Sequence, residues 1–290
     1  MSIIKRAISA DGSVVASAID STDMVAMIEQ YHKPSAVVTA ALGRLATAAS
    51  LMGYGQKNEG DQLTLRIDGD GLIGSMYAVA DSWGNVKCCA DNYIAELPLN
   101  DKGKLDVGGA IGNGTLSVIK DLGLKEPYVG TIPLVTGEIA EDIATYYASS
   151  EQIPTVLSLG VLVAPDLTVL HAGGLLLQLL PFADEECIPT IEKNIAAMPP
   201  ITEMLRAGKT AEEIVMQALD GLEPNLLDEA EAVYHCDCSR ERTSRILVSI
   251  GKDELQKLAD GGEDIEVCCH FCDKKYTFTP SEILNLMQES

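Results

Sequence analysis

Apolar and polar positions change their spacing several times along this chain, and each change marks an element. Ile3 to Ser9 and Ser13 to Ala18 read as strands on either side of Asp11-Gly12, a hairpin signal. Ser21-Thr22-Asp23 can cap a helix that runs to Tyr31, and residues 35 to 53 read as a second, well-buried helix rich in small residues. Gln62 to Ile67, Gly74 to Ala80 and Asn85 to Ala90 read as consecutive antiparallel strands. Gly137 to Tyr147 reads as a helix, and 154–163 and 167–179 read as strands around Pro165-Asp166. The pattern is α+β, with antiparallel strands in a mixed core over residues 1–180.

Residues 181–234 differ. Pro181, Pro189, Pro199-Pro200 and Pro224 punctuate helical pieces. Thr210-Ala211-Glu212-Glu213 forms a capping box ahead of the apolar face of Ile214, Val215, Ala218 and Leu219. Such short amphipathic helices are not stable alone, so this segment is expected to be a helical linker docked on its neighbours. Residues 235–290 form a third region. Ser239 can cap a helix holding Ile246, Leu247 and Ile250, and Asp253 to Asp260 reads as another, closed by Gly261-Gly262. Ile265–Val267 and Lys275–Phe278 read as short strands, and Thr279-Pro280-Ser281 opens a last helix.

Composition narrows the class. The chain has 290 residues, 47% of them hydrophobic and 4% aromatic, so a core resting on aliphatic side chains is affordable. No apolar run reaches the roughly 20 residues of a membrane span, and the first residues lack a signal-peptide apolar stretch. A cytoplasmic protein with no membrane partner is expected. The formal charge of -22 opposes phosphate contacts, which argues against a nucleic-acid partner, and keeps like molecules apart.

The chemistry concentrates in the third region. Cys236-Asp237-Cys238 and Cys269-His270-Phe271-Cys272 are two close pairs, and four thiolates can close a tetrahedral zinc site. In a reducing compartment such a cluster is metal-binding or catalytic rather than a disulfide framework. The Cys-x-Cys pair is tighter than ordinary knuckles, and an oxidised ring of that size is strained and labile. Arg240, Arg242, Arg245 and a helix beginning at Ser239 are expected to lower the thiol pKa values. The region has few large apolar residues and is expected to depend on its metal for folding. A purely structural zinc ribbon fits the same spacing. Cys268 offers an alternative pair with Cys272, although Cys269 gives the two-residue knuckle. His235 and His270 flank the pairs as less favoured ligands.

Elsewhere the signals are weak. Cys88 and Cys89 would face opposite sides of a strand, and with Cys187 read as unreactive thiols. Gly69-Asp70-Gly71-Leu72-Ile73-Gly74 matches a dinucleotide fingerprint, but strand-like residues on both sides favour a hairpin turn. Gly108-Gly109 and Gly112-Asn113-Gly114 read as turns, and His171 as a core histidine. There is no Ser-His-Asp order, H-E-x-x-H or P-loop, and nothing argues for an enzyme.

The Cys-x-Cys, thirty-residue gap and Cys-x-x-Cys resemble the redox-regulated holdase chaperones called the 33 kDa chaperonin, and the string Cys236-Asp-Cys-Ser-Arg-Glu-Arg242 is especially close to that family's signature. The layout of α+β core, helical linker and zinc module resembles it as well. The resemblance implies one zinc ion held by Cys236, Cys238, Cys269 and Cys272 in a reduced, inactive state. It implies that hypochlorous acid, or peroxide with heat, forms the disulfides Cys236–Cys238 and Cys269–Cys272 and releases the metal. It further implies unfolding of the module and linker, and ATP-independent holding of unfolding client proteins by a form that is often a homodimer. Two other readings are a thiol–disulfide oxidoreductase using Cys269 and Cys272, and a zinc-ribbon nucleic-acid binder. The first lacks a thioredoxin-like βαβ context. The second conflicts with the charge.

Overall fold

A computed structural model describes residues 2–181, 183 and 185–288. The chain divides into two units, Met1–His235 and Cys236–Ser290.

The first unit opens with β1 (Ser2–Ile8) and β2 (Val14–Asp20), followed by α1 (Thr22–His32) and α2 (Ala36–Tyr54). Next come β3 (Gln62–Gly69), β4 (Ser75–Asp81), β5 (Val86–Ala90), α3 (Val107–Ile111), β6 (Gly114–Asp121) and β7 (Tyr128–Pro133). Then α4 (Ala140–Tyr146) runs into a π-helical turn, Tyr147–Glu151, before β8 (Thr155–Val163) and β9 (Val169–Leu179). The unit closes with α5 (Ile188–Ala197), α6 (Ile201–Arg206), α7 (Ala211–Ala218) and β10 (Asn225–Ala232).

The strands form two five-stranded sheets, ordered β10-β1-β2-β9-β8 and β5-β4-β3-β6-β7. All pairs between these strands are antiparallel, as an α+β chain requires. The α2 helix lies in the core between them, buried from Val37 to Gly43 and from Leu45 to Gly53. By length and apolarity it would suit a membrane span, but 89% of that window is buried inside the fold, as expected of a core helix. Its small residues let both sheets approach.

The first sheet is covered on its other face too. Ala7, Val14, Ala16, Ala18, Leu175 and Leu177 meet Ile191 of α5, Ile201, Met204 and Leu205 of α6, and Ile214, Val215 and Ala218 of α7. Two glycines make room for α6. A Cβ on Gly160 would stand 2.5 Å from Ile201 Cγ2, and one on Gly173 would stand 2.7 Å from Leu205 Cδ1. The expected capping box forms: Glu213 N donates to Thr210 Oγ1 at 3.2 Å, and Thr210 N donates to Glu213 Oε2 at 2.8 Å.

Several local expectations change. Residues 225–232 were expected among helical pieces and form a strand, because the open edge of β1 takes their backbone. Gly108-Gly109, expected as a turn, lie in α3, capped by Asp106 accepting from Gly109 N, and β6 and β7 follow where no strand was legible. The glycine motif at 69–74 is the β3–β4 turn, as expected, and a Cβ on Gly69 would stand 2.1 Å from the Ile111 carbonyl oxygen of α3. His171 is half-exposed, beside the bulge that ends β8, and not a core residue.

The second unit contains α8 (Arg240–Ser249), α9 (Lys252–Asp260), the hairpin strands β11 (Ile265–Cys268) and β12 (Lys275–Phe278), and α10 (Pro280–Gln288). Its core consists of Leu247, Leu255, Ala259, Tyr276, Phe278 and Ile283. Six buried apolar side chains among the described residues are few for a unit of this length, which fits a fold that leans on a further cross-link.

Candidate metal centre

Two local structures present the cysteines. Cys236 and Cys238 lie in extended chain just before α8. Ser239 caps that helix by accepting from Arg242 N at 3.2 Å, and Thr243 Oγ1 donates to the Ser239 carbonyl at 2.9 Å. Cys269 to Cys272 make the tip of the β11–β12 hairpin. Cys269 N donates to Lys274 O at 2.9 Å, Cys272 N to Cys269 O at 3.3 Å, and Asp273 N to Cys269 O at 2.9 Å. Asp273 takes a φ of 56°, which a short polar side chain tolerates, and so closes the turn.

These structures bring the sulfurs of Cys236, Cys238, Cys269 and Cys272 within 4.8 Å of one another. Cys236 and Cys269 are 3.6 Å apart, and Cys238 and Cys272 are 3.4 Å apart. A tetrahedron with Zn–S bonds of about 2.3 Å has sulfurs about 3.8 Å apart. The donor set and its spacing therefore fit a single zinc ion. None of the eight cysteines forms a disulfide. Among the described residues, no imidazole joins the group of four.

Cys268 is placed elsewhere. It ends β11 opposite Lys275, is exposed, and lies outside the cluster, while its neighbour Cys269 turns inward. Partial burial and the Asp273 carboxylate hold its thiol above the ordinary range. Cys88 is buried, and desolvation pushes its thiol far up; Cys187 is buried and Cys89 half-buried.

The sulfurs are not equivalent. Burial pushes Cys236 far up and Cys272 up to about 11. Burial acts on Cys238 in the same sense, but the hydrogen bond from the Tyr276 hydroxyl at 3.1 Å, with those from the other three cysteines, outweighs it and lowers that thiol. A metal that takes all four sulfurs must therefore expel protons that the thiols otherwise keep.

Two of the three arginines sit in ion pairs. Arg242 pairs with Asp237. Arg240 donates to Thr277 O at 2.8 Å and Glu282 Oε1 at 2.6 Å, and its guanidinium lies 4.4 Å from the Phe278 ring centroid. Both are paired with carboxylates and brace the unit. Tyr276 went unnoticed in the sequence. It alternates with Phe278 on a strand, and only the fold reveals that its hydroxyl meets a sulfur.

The profile of the Hsp33 protein family matches residues 2–279. The chain belongs to the Hsp33 family. It is 47% identical over 287 residues to a 33 kDa chaperonin of Lachnoclostridium phytofermentans, covering 99% of this chain and 98% of that one. A 33 kDa chaperonin of Acetivibrio thermocellus is 45% identical, with 98% and 96% covered. The crystal structure of the 33 kDa chaperonin from Thermotoga maritima matches with a TM-score of 0.91 and 37% identity, over 99% of this chain and 98% of that one. A chaperone role follows from this membership.

Proposed function

We propose that the chain is a redox-regulated, ATP-independent holdase. Reduced, Cys236, Cys238, Cys269 and Cys272 hold one zinc ion, and the chain is inactive. The metal's contribution is folding energy, on the order of 10 kcal/mol for a small structural site. The observation that carries the reading is the closeness of four sulfurs in a unit with six buried apolar side chains.

Oxidation removes two electrons from each pair and forms one S–S bond in each, Cys236–Cys238 and Cys269–Cys272. Hypochlorous acid takes an electron pair and leaves as chloride and water; peroxide leaves as water. Disulfide sulfurs no longer bind the metal, and the second unit then cannot offset its ordering entropy. Sulfurs also approach across the two motifs, Cys236 to Cys269 at 3.6 Å and Cys238 to Cys272 at 3.4 Å. Disulfides across the motifs would staple residues 236–238 to the hairpin and restrict the unfolded chain. Pairing within each motif, which the family resemblance implies, leaves the unit free to open.

The linker of residues 181–234 then releases the apolar surface under α5, α6 and α7, with Ala16, Ala18, Leu175 and Leu177 at its centre. Exposed apolar surface of this kind binds unfolding proteins. The charge of -22 limits self-aggregation. The active form is a homodimer that acts in the cytoplasm, without nucleic acid or membrane as partners and without turning over a substrate.

Oxidant treatment of the zinc form tests this directly. A chromogenic chelator follows zinc, and light scattering follows aggregation of a thermally unfolding client. Zinc loss together with suppressed aggregation is expected. Retained zinc, or an oxidised chain that fails to suppress aggregation, would show the reading to be wrong.

A further inference from the structure

One stretch of chain closes an open edge of each sheet. β10 pairs with β1 along the edge of the first sheet, from Ser2 opposite Ala232 to Ile8 opposite Asn225. The next three residues then lie along β5, the edge of the second sheet. Val86 N donates to Val233 O at 3.0 Å, and His235 N to Val86 O at 2.9 Å. The Tyr234 hydroxyl accepts from Cys88 N at 3.1 Å and donates to Cys88 O at 2.9 Å. Residues 225–235 are thus a strap across two sheet edges.

The strap is a poor strand. Asn, Asp, Glu and Ala are depleted in strands, yet they fill Asn225 and Asp228 to Ala232. Side chains from Asn225 to Glu229 are exposed, and Ala232 alone in β10 is buried. Beyond the main-chain ladder, Asp228 pairs with Arg6 and accepts from the Tyr54 hydroxyl at 2.8 Å, while Glu229 pairs with Lys5. These pairs are solvent-screened and weak. The strand beneath is the opposite: β1 carries Ile3, Ile4 and Ile8, and Ile4 and Ala7 are fully buried. Its ladder also shifts register between Arg6 and Ala7, which weakens the pairing further.

We infer that the strap is a placeholder, and that the vacated β1 edge receives an extended segment of an unfolding polypeptide by strand addition. This rests on the holdase reading above and specifies how the client is held. An exposed strand edge accepts extended backbone through main-chain hydrogen bonds, which require no sequence motif. Client segments rich in β-branched and aromatic residues make better strands than Asn225–Ala232. Lys5, left by Glu229 and by Glu212 of the released α7, and Arg6, left by Asp228, favour segments with an acidic residue in that register. Cys236 directly follows His235, so loss of order in the second unit begins at the strap's end, where strands fray first.

Hydrogen exchange on the full-length chain tests the inference, with reduced, carboxymethylated α-lactalbumin as the unfolded client. In the zinc form, residues 2–8 and 225–232 are both protected. After oxidation both should exchange at least tenfold faster. With client added, 2–8 should regain protection while 225–232 stays fast. Light scattering on the same sample reports holding. If client is held but 2–8 stays unprotected, or if 225–232 never opens, strand addition is overturned and the holdase reading stands. If no client is held, both fall. Glu231→Thr strengthens the strap at an exposed position opposite Ile3. It should lower client holding at least twofold with zinc loss unchanged, and equal holding would overturn the placeholder role.

Discussion

The hydroxyl of Tyr276 donates to the sulfur of Cys238 at 3.1 Å. The same bond raises the tyrosine pKa above its ordinary range. Partners of this kind orient metal ligands, and their loss lowers metal affinity about 10–100-fold. Tyr276→Phe keeps the ring in the small core and removes only the donor. Competition with a chromogenic chelator should show zinc bound at least tenfold more weakly. Unchanged affinity would mean that the hydroxyl plays no part at the centre.

Cys268 lies outside the cluster that includes its neighbour Cys269. Cys268→Ser should bind one zinc per chain and activate with oxidant as the parent does. Cys269→Ser should bind zinc far more weakly and leave the second unit poorly folded, since a lost thiolate removes folding energy. Zinc stoichiometry and near-ultraviolet circular dichroism of the two variants decide it. Zinc loss in Cys268→Ser would place the wrong sulfur in the centre.

The cysteine cluster was legible because its chemistry lies in residue type and spacing, and a hairpin tip plus a helix start suffice to position it. The β1–β2 hairpin was legible from Asp11-Gly12, and α7 from Thr210 and Glu213, because those signals are local. β10 was not, since its residues carry no strand preference and its conformation is imposed by β1. β6 was hidden behind Gly112 and Gly114, which read as turns. The role of Arg240 depends on Glu282, 42 residues away, and that of Tyr276 on a sulfur 38 residues away. Long-range pairings of this kind carry no periodic signature.

Asp11 should give the first hairpin a characteristic acid response. The Ser9 hydroxyl, then the Ser13 amide and hydroxyl, hold its carboxyl at about 2, below the usual 3.8. A lowered carboxyl pKa stabilises the folded chain fully above the unfolded value. That contribution is lost as pH falls from about 4 through about 2. Carbon-detected NMR of the Asp11 carboxyl should titrate near 2. Asp11→Asn should remove this part of the acid slope, and a midpoint near 4 would show that the turn does not favour the charged form.

Gly160 offers a way to separate linker release from redox chemistry. It lies on β8 where α6 crosses, and a Cβ there would stand 2.5 Å from Ile201 Cγ2 and 2.8 Å from Thr202 Cγ2. Gly160→Val overfills the contact, a change that typically costs about 1–3 kcal/mol. The strain falls on the docking of α6 rather than on the four sulfurs, which belong to the other unit. The variant should therefore keep its zinc, bind a hydrophobic dye in the reduced state and suppress client aggregation without oxidant. Dye binding without client holding would place the client surface elsewhere than under α6. Unchanged dye binding and a silent reduced form would show that α6 tolerates the extra volume in place.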